Sequence, residues 1–134
     1  MKTKLQAKGL SHIQIESAGI ATIDGLGPTE ETIKVMAEKK IDVSFHHARL
    51  LTKEMIEKAD LILAMTDIHQ NAILEHVPEA KKKVHLLKNY GDKSERGESI
   101  QIPDPIGRPV ESYEVCRDVI EEAVDKVIEQ ITDR

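Results

Sequence analysis

The sequence is short of cysteine and of aromatic rings and carries no net positive charge, and each lack removes a class of function. A single cysteine, Cys116, among 134 residues excludes an intrachain disulfide framework and fits the reducing cytosol. Two tyrosines, one phenylalanine and no tryptophan leave few rings on which nucleic-acid bases could stack. A formal net charge of −5 argues against the basic face that non-specific nucleic-acid binding requires. One arginine or a few main-chain amides can still hold a phosphate. No apolar run approaches the roughly 20 residues of a membrane span, and no signal peptide is visible. The expectations are no nucleic-acid partner, no membrane partner and a cytoplasmic location.

What is present suits one soluble domain, spanning residues 1–134, with a modest aliphatic core. Residues 1–9 read as a short helix closed by Gly9. His12 to Glu16 alternates with period two and is broken by Ser17-Ala18-Gly19, which predicts a strand. A Gly-rich loop over Thr22–Pro28 precedes a helix that Pro28 and Thr29 start, with Glu30 and Glu31 in its first turn. After an irregular connector over Ile41–Arg49, Thr52 caps a helix running to about Ala59. Leu61 to Met65 is an unbroken apolar run, most simply a strand buried on both faces. Thr66 or Asp67 then caps a helix to about His76, and Val84–Leu87 reads as another strand. A long polar loop over Lys88–Gln101 leads to Asp104. The last helix, from about Ser112 to Ile131, aligns Tyr113, Cys116, Ile120, Ala123, Val124, Val127 and Ile131 on one stripe.

Strands alternating with helices around an apolar middle strand predict a three-layer α/β/α domain with a short parallel sheet. Chemistry in such sheets gathers at the carboxyl ends of the strands. Three segments should therefore share one rim: Ser17-Ala18-Gly19, Met65-Thr66-Asp67 and the loop ending at Asp104. Asp104 is flanked by Pro103 and Pro105, and a proline restricts both its own φ and the residue before it. A carboxyl held this way can lend a proton to a leaving group, an effect worth roughly 100- to 10,000-fold in rate.

In these segments the chain resembles the low-molecular-weight protein-tyrosine phosphatases, a family that includes bacterial protein-arginine phosphatases. The resemblance is carried by Ser17-Ala18-Gly19, by Ile41-Asp42-Val43-Ser44 with His46, Ala48-Arg49 and Leu51-Thr52, by Ala59-Asp60-Leu61-Ile62-Leu63 with Met65-Thr66, and by Asp104-Pro105. It implies a four-stranded parallel sheet of order 2-1-3-4. It also implies a Cys-x5-Arg loop after the first strand, whose amides and arginine hold the phosphoryl group while thiolate attacks phosphorus. Asp104 then corresponds to the general acid, and Ser17 and His46 to residues that brace the nucleophile loop. No cofactor is implied. Ile106 stands where relatives carry an aromatic lining a phosphotyrosine slot, which leaves phosphoarginine or a small phosphomonoester open beside phosphotyrosine.

The chain holds no Cys-x5-Arg loop. Met1 aligns inside the family's first helix, so the first, central strand and the nucleophile are expected to be missing, through truncation or a late start codon. Cys116 does not substitute, because Glu122 rather than arginine lies six positions on and Cys116 sits on the buried stripe of a helix. Arsenate reductases of related fold need several redox cysteines and are excluded. A metal site is not expected: His46 and His47 are adjacent, His69 and His76 are seven apart, and no acid pairs with them. The reading is therefore a member of this phosphatase family, acting on a phosphorylated protein or small phosphomonoester once completed and inactive as this chain. The alternative is a non-catalytic binding or regulatory remnant of the fold. Self-association to fill the missing strand is a further expectation.

Overall fold

A computed structural model describes residues 1–20, 24–91, 102 and 104–132. The Thr22 end of the Gly-rich loop, most of the loop over 88–101, and Pro103 lie outside the described residues. Helix α1 is Lys2–Ala7, and the chain leaves it through Gly9 at φ +73°, a left-handed conformation that glycine adopts without a Cβ clash. Helix α2 (Glu30–Ala37) is capped by Thr29, whose hydroxyl accepts the N–H of Thr32 at 3.2 Å. Helix α3 (Lys53–Lys58) is capped likewise by Thr52, and helix α4 (Asp67–His76) by Thr66.

Strand β1 (Ile62–Ala64) pairs in parallel with strand β2 (Val84–Leu86), in the register Ile62 with Val84 and Ala64 with Leu86. A 3-10 turn over Pro78–Lys82, which periodicity did not indicate, joins α4 to β2. Helix α5 (Leu87–Gly91) occupies the start of what the sequence reads as a loop. Helix α6 (Val110–Thr132) closes the chain.

The sheet divides the core in two. On one face Ile56 of α3, Ile73 of α4, Val77 and Ala80 pack on Ala64, Val84 and Leu86, with Ile62 beside them. On the other, Leu5 of α1, Leu87, Ile102 and the Ala123, Val124, Val127 and Ile128 stripe of α6 form a second cluster, against which Leu63 and Met65 pack. Odd and even residues of β1 thus serve opposite cores, as a pleated strand requires. The predicted three layers with a short parallel sheet are present. Arg117 ties α2 to α6, donating to the Val35 carbonyl at 2.8 Å and to Glu38 at 3.2 Å.

Two expectations are corrected. The run over 61–65 is not buried on both faces: Ile62 and Leu63 are half-buried and only Ala64 is buried within β1. Among the described residues β1 has one ladder neighbour, β2. The segment over His12–Glu16 keeps its alternation, with Ile13 and Ile15 half-buried between exposed neighbours. It is not a ladder strand. His12 lies in a turn in which the Ile13 N–H donates to the Leu10 carbonyl at 3.1 Å, and no described strand runs beside it. The first described parallel pairing after it is the single bridge between Gly19 and Leu50.

Candidate active site

The segment bearing Asp104 is fixed at the carboxyl end of β1. The Ile102 N–H donates to the Met65 carbonyl at 2.8 Å, and Ile102 is only 3% exposed within the α6 cluster. Two residues on, Asp104 is exposed, and its Oδ1 accepts the N–H of Ile106 at 3.0 Å. This is the Asx-type turn that short acidic side chains favour. Gly107 at φ +78° and a 2.9 Å bond from Arg108 N–H to the Pro105 carbonyl then turn the chain toward α6. One carboxyl oxygen is thus held by the main chain, and the other meets no donor among the described residues. Asp104 lines neither the cleft between α1 and residues 13–16 nor the one between α3 and the 3-10 turn.

Ser17 and His46, 29 residues apart, are brought together, with Ser17 Oγ 3.4 Å from His46 Nε2. Both are exposed. Their loops are sewn together by several further bonds. Gly19 N–H donates to the Arg49 carbonyl at 2.8 Å, and Leu51 N–H donates to the Gly19 carbonyl at 2.8 Å. Gly25 N–H donates to the Ala48 carbonyl at 2.8 Å, and His47 Nδ1 lies 3.2 Å from the Gly25 carbonyl. Asp24 accepts the Leu50 N–H at 2.5 Å. The seam orients the hydroxyl–imidazole pair without burying it. Asp104 makes no hydrogen bond or ion pair with either residue of the pair, so the structure provides one braced pair and one separately anchored carboxyl.

Cys116 is half-buried on α6. Burial pushes its thiol above the ordinary range, and the nearby charge of Asp104 adds to the rise. A nucleophilic cysteine needs the opposite, a positive surrounding that favours thiolate. No cluster of three metal-ligating side chains occurs among the described residues, and none of their helices is long and apolar enough to cross a membrane. Sequence reasoning missed the Met65–Ile102 anchor and the Asp24 clasp. Nothing local marks either, because each joins residues distant along the chain.

A parallel sheet with helices on both faces, an acid anchored at a strand exit and a separate hydroxyl–imidazole pair describe an α/β domain with its polar side chains on connecting loops. The sequence matches the family described as Low molecular weight phosphotyrosine protein phosphatase over residues 1–134, and the chain belongs to it. A protein-arginine-phosphatase of Geobacillus stearothermophilus is 35% identical over 127 residues, which cover 95% of this chain and 82% of that protein. The solved structure titled YwlE arginine phosphatase from the same organism aligns with a TM-score of 0.85 at 33% identity, covering 96% of this chain and 80% of that one. The low molecular weight protein-tyrosine-phosphatase Wzb of Escherichia coli is 29% identical over 109 residues, covering 81% of this chain and 70% of Wzb.

Proposed function

We propose that this chain supplies the proton-handling part of a cysteinyl-phosphate phosphatase site, with Asp104 as the general acid. The observation that carries the reading is the 2.8 Å bond from Ile102 to Met65. It anchors the acid's segment at the strand exit, where chemistry gathers in parallel sheets. In this reading Asp104 protonates the leaving oxygen or nitrogen as the S–P bond forms, then takes a proton from the water that hydrolyses the cysteinyl-phosphate. Ser17 and His46, in contact at 3.4 Å, would hold the loop that carries the nucleophile. The substrate is a phosphorylated protein or a small phosphomonoester. The arginine phosphatase named among the relatives and the exposed Ile106 in place of a ring both support phosphoarginine beside phosphotyrosine.

These 134 residues do not turn over substrate by themselves. Their one cysteine has Glu122 rather than arginine six positions on, and its thiol is disfavoured as thiolate. The first test is turnover of p-nitrophenyl phosphate and of phosphoarginine by the purified chain. None is expected, with or without Cys116→Ser. Turnover that disappears in Cys116→Ser would overturn the assignment of Cys116 as a packing residue.

A further inference from the structure

The Met65 carbonyl that receives the Ile102 N–H belongs to the peptide unit between Met65 and Thr66. That unit is planar, so whatever turns Thr66 also turns the carbonyl. Strand β1 ends at Ala64 and α4 begins at Asp67, so the unit lies between sheet and helix. On its helix side it is held by the cap. Thr66 is extended, at φ −136° and ψ 166°, and its hydroxyl accepts the His69 N–H at 3.4 Å. The His69 ring folds back to the same hydroxyl, with Nδ1 3.1 Å from Oγ1. Either partner can supply the hydrogen, since a hydroxyl both donates and accepts and the ring nitrogen does one or the other with its tautomer. Thr52 caps α3 by accepting the Met55 N–H at 3.2 Å. No described main-chain bond runs from the acid's segment to the carbonyl before that cap, on Leu51.

We propose that Thr66 is a positioning residue for Asp104. Its hydroxyl, bound by both the main chain and the ring of His69, sets the Met65–Thr66 peptide on which the acid's segment hangs. This role deepens, and rests on, the reading of Asp104 as the general acid. Such an acid acts only within about 2.6–3.2 Å of the atom it protonates. A misplacement of about 1 Å can cost roughly 100-fold in rate, so the direction of one carbonyl at the anchor matters to the reaction. Thr66 itself touches no reacting atom in this account; it acts through Met65, Ile102 and then Asp104.

Amide hydrogen exchange on the intact chain reads the anchor directly. Thr66→Val keeps the side chain's shape and removes the hydroxyl. Thr52→Val makes the same change at α3 and is the control for a general loss of stability. The Ile102 N–H should exchange roughly 3- to 10-fold faster in Thr66→Val than in Thr52→Val. Thr66→Ser keeps the hydroxyl and should stay within about 2-fold of the parent. A second readout follows the acid itself. Burial and then the Asp104 charge disfavour the Cys116 thiolate. Asp104→Asn should therefore speed Cys116 alkylation by roughly 1.5- to 3-fold in the parent, and by a smaller factor in a Thr66→Val background. Equal Ile102 exchange in the two valine variants would overturn the proposal. So would exchange in Thr66→Ser as fast as in Thr66→Val, or an Asp104→Asn gain that is the same in both backgrounds. Neither readout requires turnover, so the positioning role and the general-acid reading fail separately.

Discussion

Replacing Ile102 by alanine tests whether the acid's segment is built into the core or merely laid over it. Ile102 is 3% exposed and packs with Leu5, Leu87, Val124, Val127 and Ile128. Truncating such a side chain removes buried methyl groups and leaves a cavity, a loss of about 2–5 kcal/mol. At an unfolding entropy of about 2.1 cal/mol/K per residue, each kcal/mol moves the melting midpoint of a 134-residue domain by about 3.6 °C. The midpoint should therefore fall by about 7–18 °C for Ile102→Ala. Ile106, two residues beyond the acid and 66% exposed, is the control: Ile106→Ala should stay within about 0.5 kcal/mol, or about 2 °C. Circular dichroism melts of the two variants and the parent decide it. Equal midpoints for Ile102→Ala and Ile106→Ala would refute the claim that Asp104 is positioned by packing.

Cys116 should react slowly with iodoacetamide near neutral pH, because burial and the Asp104 charge both hold its thiol above the ordinary pKa of 9.0. Asp104→Asn should speed that reaction at fixed pH, and an unchanged rate would place the acid too far from α6. The raised thiol pKa also favours the folded state while the thiol is protonated. That contribution is complete below the unfolded-state pKa and is lost as pH rises through the folded value, so stability should fall at alkaline pH less steeply in Cys116→Ser than in the parent. Thr66→Ala removes the hydroxyl that caps α4 and accepts the His69 N–H, and urea unfolding should show a loss of about 1 kcal/mol.

Local chemistry made most of the helices legible. Thr29, Thr52 and Thr66 each cap the helix they precede, because a threonine hydroxyl satisfies an amide the first turn leaves unpaired. The long stripe of α6 was legible for the same reason that it is buried, although Ile128, one of its deepest residues, was not singled out. Parallel strands were harder, since pattern marks a segment that can pair without marking what pairs with it. Leu61–Met65 found β2, whereas His12–Glu16 found no described neighbour and stayed outside the sheet. The site divides in the same way. Asp104 between two prolines was visible directly, but Ser17 and His46 became candidates only through family resemblance. Their contact joins residues 29 apart, and the bond from Ile102 to Met65 spans a still longer stretch of chain.

The central claim, that Asp104 is a proton donor, is tested most directly by leaving-group dependence. The chain would be fused behind a relative's first strand and Cys-x5-Arg loop, and turnover measured for aryl phosphates of graded leaving-group pKa. Asp104→Asn should cost roughly 100- to 10,000-fold on poor leaving groups and far less on good ones that depart without a proton. The same loss across the whole series would contradict the account.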